Sequence, residues 1–440
     1  MQLSSLLGHT RELLLQIRST GRPADSLIDS FFRSRRYLGS HDRRFIAETA
    51  YGTLRHLRWC EAVAESALGG YSNGLSDEEK LLFTVVAHHV RKAGNPVPAI
   101  ADLKPLLTSE SSGVLDRFVA RLPLAHPAAP DQTTQFSVEY SLPDWLAGRL
   151  MDAYGLEEAA KLCESLNTQA PLNLRVNTLK TSVSECAERL RREGVEARPG
   201  GLSPVGLTVP KRLNIFRLQA FRDGLFEVQD EGSQLVGILL DPKPTWKVLD
   251  ACAGAGGKTL HLAAIMKNRG EVVAADVHDR RIGELRKRAA RAGASNIRMM
   301  LTDELTAREQ YDGFFDVVFL DVPCSGTGTL RRNPGLKWSL KESDIPELKE
   351  KQVHIMAVHK RFVKPGGMMF YATCSLLRDE NEDVVDAFLA GNSDFERADF
   401  EEYARRTGME RFVTENALRL FPHVHGTDGF FCAALRKRHG

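Results

Sequence analysis

From Lys247 onward, short apolar runs alternate with helical stretches, and this alternation limits the fold more than any other feature of the chain. The runs are Val248-Leu249, Val272–Ala275, Ile297–Leu301, Val317–Leu320 and Met368–Tyr371, and helical spacing covers 257–268, 279–292, 347–363 and 380–390. Strands buried on both faces read as continuous apolar runs, whereas strands with one solvated face alternate apolar and polar residues. With helices between them, such strands predict a doubly wound parallel α/β domain over residues 236–440.

The full 440 residues exceed one ordinary core, so further domains are expected upstream. Residues 1–125 carry helical spacing, as in Leu13/Leu14/Ile17 and Leu81/Leu82/Val85/Val86, and predict an all-α bundle of five to seven helices. The Pro/Ala-rich stretch LPLAHPAAP (122–130) marks a linker, placed at 126–140. Residues 141–235 mix helices (Asp144–Ala153, Glu157–Leu166, Val183–Glu193) with short strands (Asn173–Val176, Leu207–Val209, Leu225–Val228), predicting a small α/β or α+β middle domain.

No run of 18 apolar residues occurs, so no membrane-crossing helix is expected, and the N-terminal Leu pattern reads as an amphipathic helix rather than a signal peptide. The seven cysteines include no CxxC pair. That argues against a disulfide framework or a zinc ribbon, so no metal and a cytoplasmic setting are expected. Nothing calls for a dimer, and a monomer is expected. The net charge of +2 decides little, but residues 1–60 hold ten arginines, no lysine and five acids. Arg33, Arg35, Arg36, Arg43, Arg44, Arg55 and Arg58 suit either a nucleic-acid surface or a solvated helix face.

The first strand of the α/β domain ends in VLDACAGAGGKTLHLAA. Glycines there let a ligand approach the backbone at the start of a helix. A phosphate loop is excluded because Cys252 stands where its first Gly belongs, and a dinucleotide loop because Thr259 stands where its third Gly belongs. Asp276 closes the second strand, where a carboxylate suits ribose hydroxyls, and Asp303 follows the third, where it suits an adenine amino group. Either alone reads equally well as a helix cap. Together with the loop they fit S-adenosylmethionine, a nucleoside ligand without phosphate.

Cys324 (LDVPCSGTG) and Cys374 (YATCSLLRDENE) both follow strand ends on the crevice side of the sheet. Cys60, Cys163, Cys186 and Cys432 read as small buried hydrophobes, and Cys252 as loop packing. Asp379 and Glu382 have the spacing of a capping box, which would start a helix whose positive end favours a nearby thiolate. A methyl donor and two thiols suit one problem well. Carbon-5 of a pyrimidine is too weak a nucleophile until a thiolate adds to carbon-6. An acid must then stabilise charge at N3 or O2, and a base must take the carbon-5 proton. Asp321 is placed for the first task. Asp-Val-Pro-Cys lacks the Asn/Asp-Pro-Pro-aromatic pattern of exocyclic-amine methylases. Arg331, Arg332, Lys337 and Trp338 follow, either to hold phosphate and stack a base or as a structural loop.

These motifs resemble the Sun-type RNA (cytosine-5)-methyltransferases, most closely the RsmB-like 16S rRNA branch. LRVNTLK (174–180), VQDEGSQL (228–235), DACAGAGGKT (250–259), DVPCSGTG (321–328), ATCS (372–375), ENE (380–382) and DGFF (428–431) resemble family blocks in order. RRFIAETAYGTLR (43–55) resembles the NusB-like RNA-binding domain of that branch. The resemblance implies Cys374 as the nucleophile on carbon-6 and Cys324 as the thiol that helps release the product, although the DNA enzymes use the cysteine of Pro-Cys. It implies cofactor contacts from Cys252, Ala253, Gly254, Ala255, Gly256, Gly257, Lys258, Asp276, Arg281, Asp303 and Asp321. Gly254-Ala255 replaces the family's Ala-Pro, which loosens the turn without removing a ligand. The implied activity is methylation of a cytidine in 16S rRNA. The same chemistry on tRNA or another rRNA site, and a non-catalytic RNA-binding assembly factor, are the alternatives; a nicotinamide oxidoreductase is disfavoured by the glycine spacing.

Overall fold

The computed structural model describes residues 1–20, 24–127, 129–211 and 213–439, and it divides into two units. One comprises residues 1–168 with 330–342, the other 169–329 with 343–440. Among the described residues, no helix is long and apolar enough to cross a membrane.

The first unit is helical, with a core of Leu7, Leu13, Leu14, Ile46, Val63, Leu82, Val86 and Phe118 drawn from its first seven helices. The segment expected as a linker is helical over Gln132–Tyr140, capped by Asp131, whose side chain accepts from the Thr134 N–H. Asp144–Leu166 is two helical stretches meeting at a non-helical Gly155 (φ 75°, ψ 161°), as expected, but its contacts group it with this unit rather than with the middle domain. Its apolar stripe of Leu146, Leu150, Leu162 and Leu166 is buried, which explains why it stays with the helices. Residue 128 lies outside the described residues.

Two expectations about basic residues change here. Arg33 pairs with Asp29, Arg35 with Glu12, Arg44 with Glu48 and Arg58 with Asp144. Arg55 donates to the carbonyls of Thr168 and Arg331, and Arg43 to that of Leu38. Six of the seven thus have partners within the unit, and the Arg33 and Arg44 pairs lie on exposed helix faces, as the solvated-face reading has it. In the returning segment 330–342, Lys337 is fully buried and donates to the carbonyls of Arg55 and Ser141 and to Asn167 Oδ1 at 2.6 Å. Trp338 Nε1 donates to Leu54 O at 2.7 Å, and Arg331 is buried. For Arg331, Lys337 and Trp338 the structural-loop reading holds, because a buried ammonium with three acceptors has no freedom to meet phosphate.

In the second unit, β1 (Leu172–Val176), β2 (Arg198–Pro199), β3 (Gly206–Val209) and β4 (Phe226–Val228) form an antiparallel sheet in the order β2-β3-β1-β4. The large sheet contains β5 (Lys247–Asp250), β6 (Glu271–Asp276), β7 (Ile297–Leu301), β8 (Phe315–Asp321), β9 (Val363–Thr373), β10 (Phe395–Arg397), β11 (Val413–Thr414), β12 (Ala417–Leu420) and β13 (Phe430–Lys437). Its order is β11-β12-β13-β9-β8-β5-β6-β7, with β10 pairing β13. The five expected strands are the parallel ones, β9-β8-β5-β6-β7. The chain leaves β5 for β6 and β7, then returns to β8 on the other side, so a crevice opens at the carboxyl ends of β5 and β8. The antiparallel strands β10–β13 were not anticipated.

The small sheet is fastened to helix Asp279–Ala292 of the large domain. Glu227 of β4 pairs with Arg288 at 2.9 Å and with Arg291. Asn177 Nδ2 donates to the carbonyl of Ala292 at 2.8 Å, and Lys180 Nζ to that of Arg291 at 2.7 Å.

Candidate active site

The two cysteines that follow β8 and β9 converge. Asp321 and Ala372 are register partners in this parallel pair, so the loops after them leave the sheet side by side. Cys324 Sγ and Cys374 Sγ stand 3.4 Å apart. Cys374 is the one residue between Tyr371 and Leu377 that is not buried. Cys60, Cys163, Cys186 and Cys432 are at most 1% exposed, as expected of packing residues. The Cys324 thiol is held well above its ordinary pKa, first by its hydrogen bond with Cys374 and then by burial.

Beside the thiols, Lys258 Nζ bonds Asp321 Oδ2 at 2.6 Å. Burial works against the ammonium, but the Asp321 carboxylate outweighs it and raises Lys258 above its ordinary range. Lys258 is the more buried partner, and Asp321 remains partly open to the crevice.

The loop between β5 and helix Gly257–Ile265 is built by backbone. Ala253 N–H donates to Ala275 O at 2.9 Å, and Gly256 N–H to Ala253 O at 2.9 Å. Gly256 adopts φ 86° against Leu285, whose Cδ1 stands 2.0 Å from where a Cβ would lie. Gly254 instead faces open space, leaving the mouth of the loop clear for a ligand. Asp276 shapes the turn, its Oδ2 accepting from Gly254 N–H and its Oδ1 from His278 N–H, both at 2.9 Å. Arg281 Nη1 is 3.5 Å from the same carboxylate. Asp303 is exposed in the first turn of helix Thr302–Thr306. Cys252 is a packing residue, its thiol raised by burial. Asp250 Oδ2 accepts from Thr259 Oγ1 at 2.6 Å, while its buried Oδ1 has no hydrogen-bond partner and its carboxyl is pushed up by burial to about 7. An open glycine loop, a carboxylate at the next strand end and an orphaned carboxylate oxygen at its base fit a cationic nucleoside such as S-adenosylmethionine.

Three residues given no site role in the sequence support this loop. Arg175, fully buried and lowered by burial to about 9, donates to Gly257 O at 2.5 Å and to Gln229 Oε1. Arg288 Nη1 donates to Ala255 O at 2.8 Å. Arg175 and Gln229 lie in two of the blocks quoted above, and that was the available signal.

The capping box expected at Asp379 and Glu382 is not formed. The helix begins at Glu382, its N-cap Asn381 makes no side-chain cap, and a 3₁₀ turn occupies Arg378–Glu380. Asn381 is spent elsewhere, accepting from Thr373 Oγ1 at 2.5 Å and donating to Ser375 O at 3.0 Å. Glu382 pairs with Arg419 at 2.8 Å.

A family model described as 16S rRNA methyltransferase RsmB/F matches residues 237–436, and one described as an RsmF/B-like ferredoxin-like domain matches 142–216. The probable ribosomal RNA small subunit methyltransferase B of Bacillus subtilis (strain 168) is 36% identical over 71% of this chain and 70% of that protein. The corresponding protein of Synechocystis sp. (strain ATCC 27184 / PCC 6803 / Kazusa) is 31% identical over 91% of this chain and 92% of that protein. The crystal structure of PH0851 superposes with a TM-score of 0.77 at 26% identity, covering 98% of this chain and 99% of that one.

Proposed function

Because the chain belongs to the RsmB/F family of 16S rRNA methyltransferases, we propose that it methylates carbon-5 of a cytidine in 16S rRNA through a covalent bond between Cys374 and the base. The observation that carries this reading is the pair of thiols 3.4 Å apart at two strand ends. Methylation of a ring nitrogen or an exocyclic amine needs neither of them.

Cys374 adds to carbon-6 as the thiolate, which makes carbon-5 nucleophilic. The Asp321–Lys258 pair shares a proton that Asp321 can deliver to N3 as negative charge develops there and at O2. S-adenosylmethionine, held by the loop 252–258 with Asp276, Arg281 and Asp303, supplies the methyl group. Cys324, whose sulfur stands 3.4 Å from that of Cys374, then takes the carbon-5 proton as its thiolate. Loss of that proton restores the ring double bond and expels Cys374. The target base must leave any stack to reach both thiols.

The helical unit is read as a NusB-like RNA-binding domain, and the small sheet as a second RNA-binding element. The test is to incubate the protein with S-adenosylmethionine and a protein-free 16S rRNA transcript, then digest the RNA for nucleoside mass spectrometry. The expected product is 5-methylcytidine. A methyl group on a ring nitrogen or exocyclic amine, or none on any rRNA or tRNA transcript, contradicts the reading.

A further inference from the structure

Glu380 has no part in the steps above, yet its fully buried carboxylate gathers four donors. Oε1 accepts from the Ser325 backbone N–H at 2.7 Å and from Gln352 Nε2 at 3.0 Å. Oε2 accepts from Ser375 Oγ at 2.5 Å and from Ser325 Oγ. Ser325 follows Cys324, and Ser375 follows Cys374. A single carboxylate therefore ties together the residues next to each thiol. Gln352 Nε2 also donates to Pro323 O at 3.0 Å, on the other side of Cys324. The backbone of Glu380 is itself fixed, since Tyr371 OH donates to its carbonyl at 2.5 Å.

We propose that Glu380 is the positioning residue that holds Cys324 and Cys374 in register for a two-thiol reaction, an inference that rests on the function proposed above. A buried carboxylate is costly unless its oxygens are satisfied, and an apolar side chain fills the same volume without that cost. A charge kept here is accounted for by the convergence of donors from both loops. Glu380 also acts on chemistry, because its charge adds to the Cys374 hydrogen bond and burial in keeping Cys324 protonated. The other titratable groups around the pair are the Tyr371 hydroxyl, whose pKa is raised by burial and then by Cys324 and Glu380, and the Lys258–Asp321 pair beside Cys374.

The test compares wild type with Glu380→Gln, which keeps shape and loses charge, and with Ser375→Ala, which removes one tie and keeps the charge. Each full-length protein is assayed for kcat and KM on the 16S transcript. Without RNA, each is also assayed for the pH dependence of Cys324 alkylation by iodoacetamide and for the rate at which diamide joins the two thiols. Glu380→Gln is expected to lower kcat roughly 10- to 100-fold with KM little changed. It should also shift Cys324 alkylation to lower pH and slow the diamide reaction. Ser375→Ala should slow the diamide reaction and leave the alkylation midpoint in place. A merely structural Glu380 would not move that midpoint. Wild-type kcat, midpoint and diamide rate in Glu380→Gln would overturn the proposal, and if that variant does not fold, a wild-type kcat and diamide rate in Ser375→Ala would do so. The two RNA-free assays decide the positioning role even if the wild type makes no 5-methylcytidine, an outcome that counts against the function alone.

Discussion

Cys324 and Cys374 are 50 residues apart in the chain and 3.4 Å apart at their sulfurs. Adjacent parallel strands produce that proximity, and in the loop after β9 Cys374 stays partly accessible while its neighbours from Tyr371 to Leu377 are buried. The environment holds the Cys324 thiol well above its ordinary pKa, through its hydrogen bond with Cys374 and then through burial.

Asp321→Asn keeps the size of the side chain but removes the charge paired with Lys258. The expected result is a fall in kcat of about 10²- to 10⁴-fold, the usual range for a lost acid–base group, with a smaller loss of cofactor affinity because Asp321 is also among the expected cofactor contacts. Single-turnover methylation and calorimetric titration with S-adenosylmethionine separate the two effects.

Gly256→Ala places a methyl 2.0 Å from Leu285 Cδ1 at a backbone φ of 86°. Overpacking typically costs about 1–3 kcal/mol, so thermal stability should fall and cofactor binding should weaken with it. Gly254→Ala, which meets nothing within 4 Å, should be tolerated better. Melting curves with and without S-adenosylmethionine check the difference.

Arg175→Met removes a donor to Gly257 O from a fully buried position. A buried acceptor left unsatisfied costs about 1–3 kcal/mol, and the loss should fall on the cofactor loop. Weaker S-adenosylmethionine binding with intact secondary structure by circular dichroism is expected.

The helical unit should lose stability in mild acid. Burial, with the positive charge of Lys92 and Lys337 behind it, lowers His56 from 6.5 to about 3, and burial followed by His89 and Lys92 lowers His88 from 6.5 to about 4. A folded-state pKa below the unfolded value means that the unfolded chain takes up protons first as pH falls. The contribution is fully present above pH 6.5 and is lost progressively as pH drops toward 4 and 3. Urea unfolding between pH 7.5 and 4.5 measures it, and His88→Gln should flatten the profile.

The parallel strands and the cofactor loop were legible because burial on both faces writes itself as continuous apolar runs, and helix 279–292 matches its expected span residue for residue. Strands β10, β11 and β12 were missed because two to four residues carry little periodicity, whereas β13, FFCAALRK, is an apolar run like the others and was overlooked. Pattern also could not show where long polar side chains go. Arg55 and Lys337 looked available for phosphate, but both bond to carbonyls inside the helical unit. Glu380 sat in a stretch read as a helix cap, and only the fold reveals that it turns inward to Ser325 and Ser375.

The central claim is the division of labour between the two thiols. It is tested most directly by incubating Cys324→Ala and Cys374→Ala with S-adenosylmethionine and 16S rRNA transcript, then running each on a denaturing gel. The account predicts that Cys324→Ala accumulates a covalent RNA adduct, because the nucleophile adds but product release stalls, and that Cys374→Ala gives neither adduct nor 5-methylcytidine. An adduct formed by Cys374→Ala and absent from Cys324→Ala would contradict it and reverse the roles.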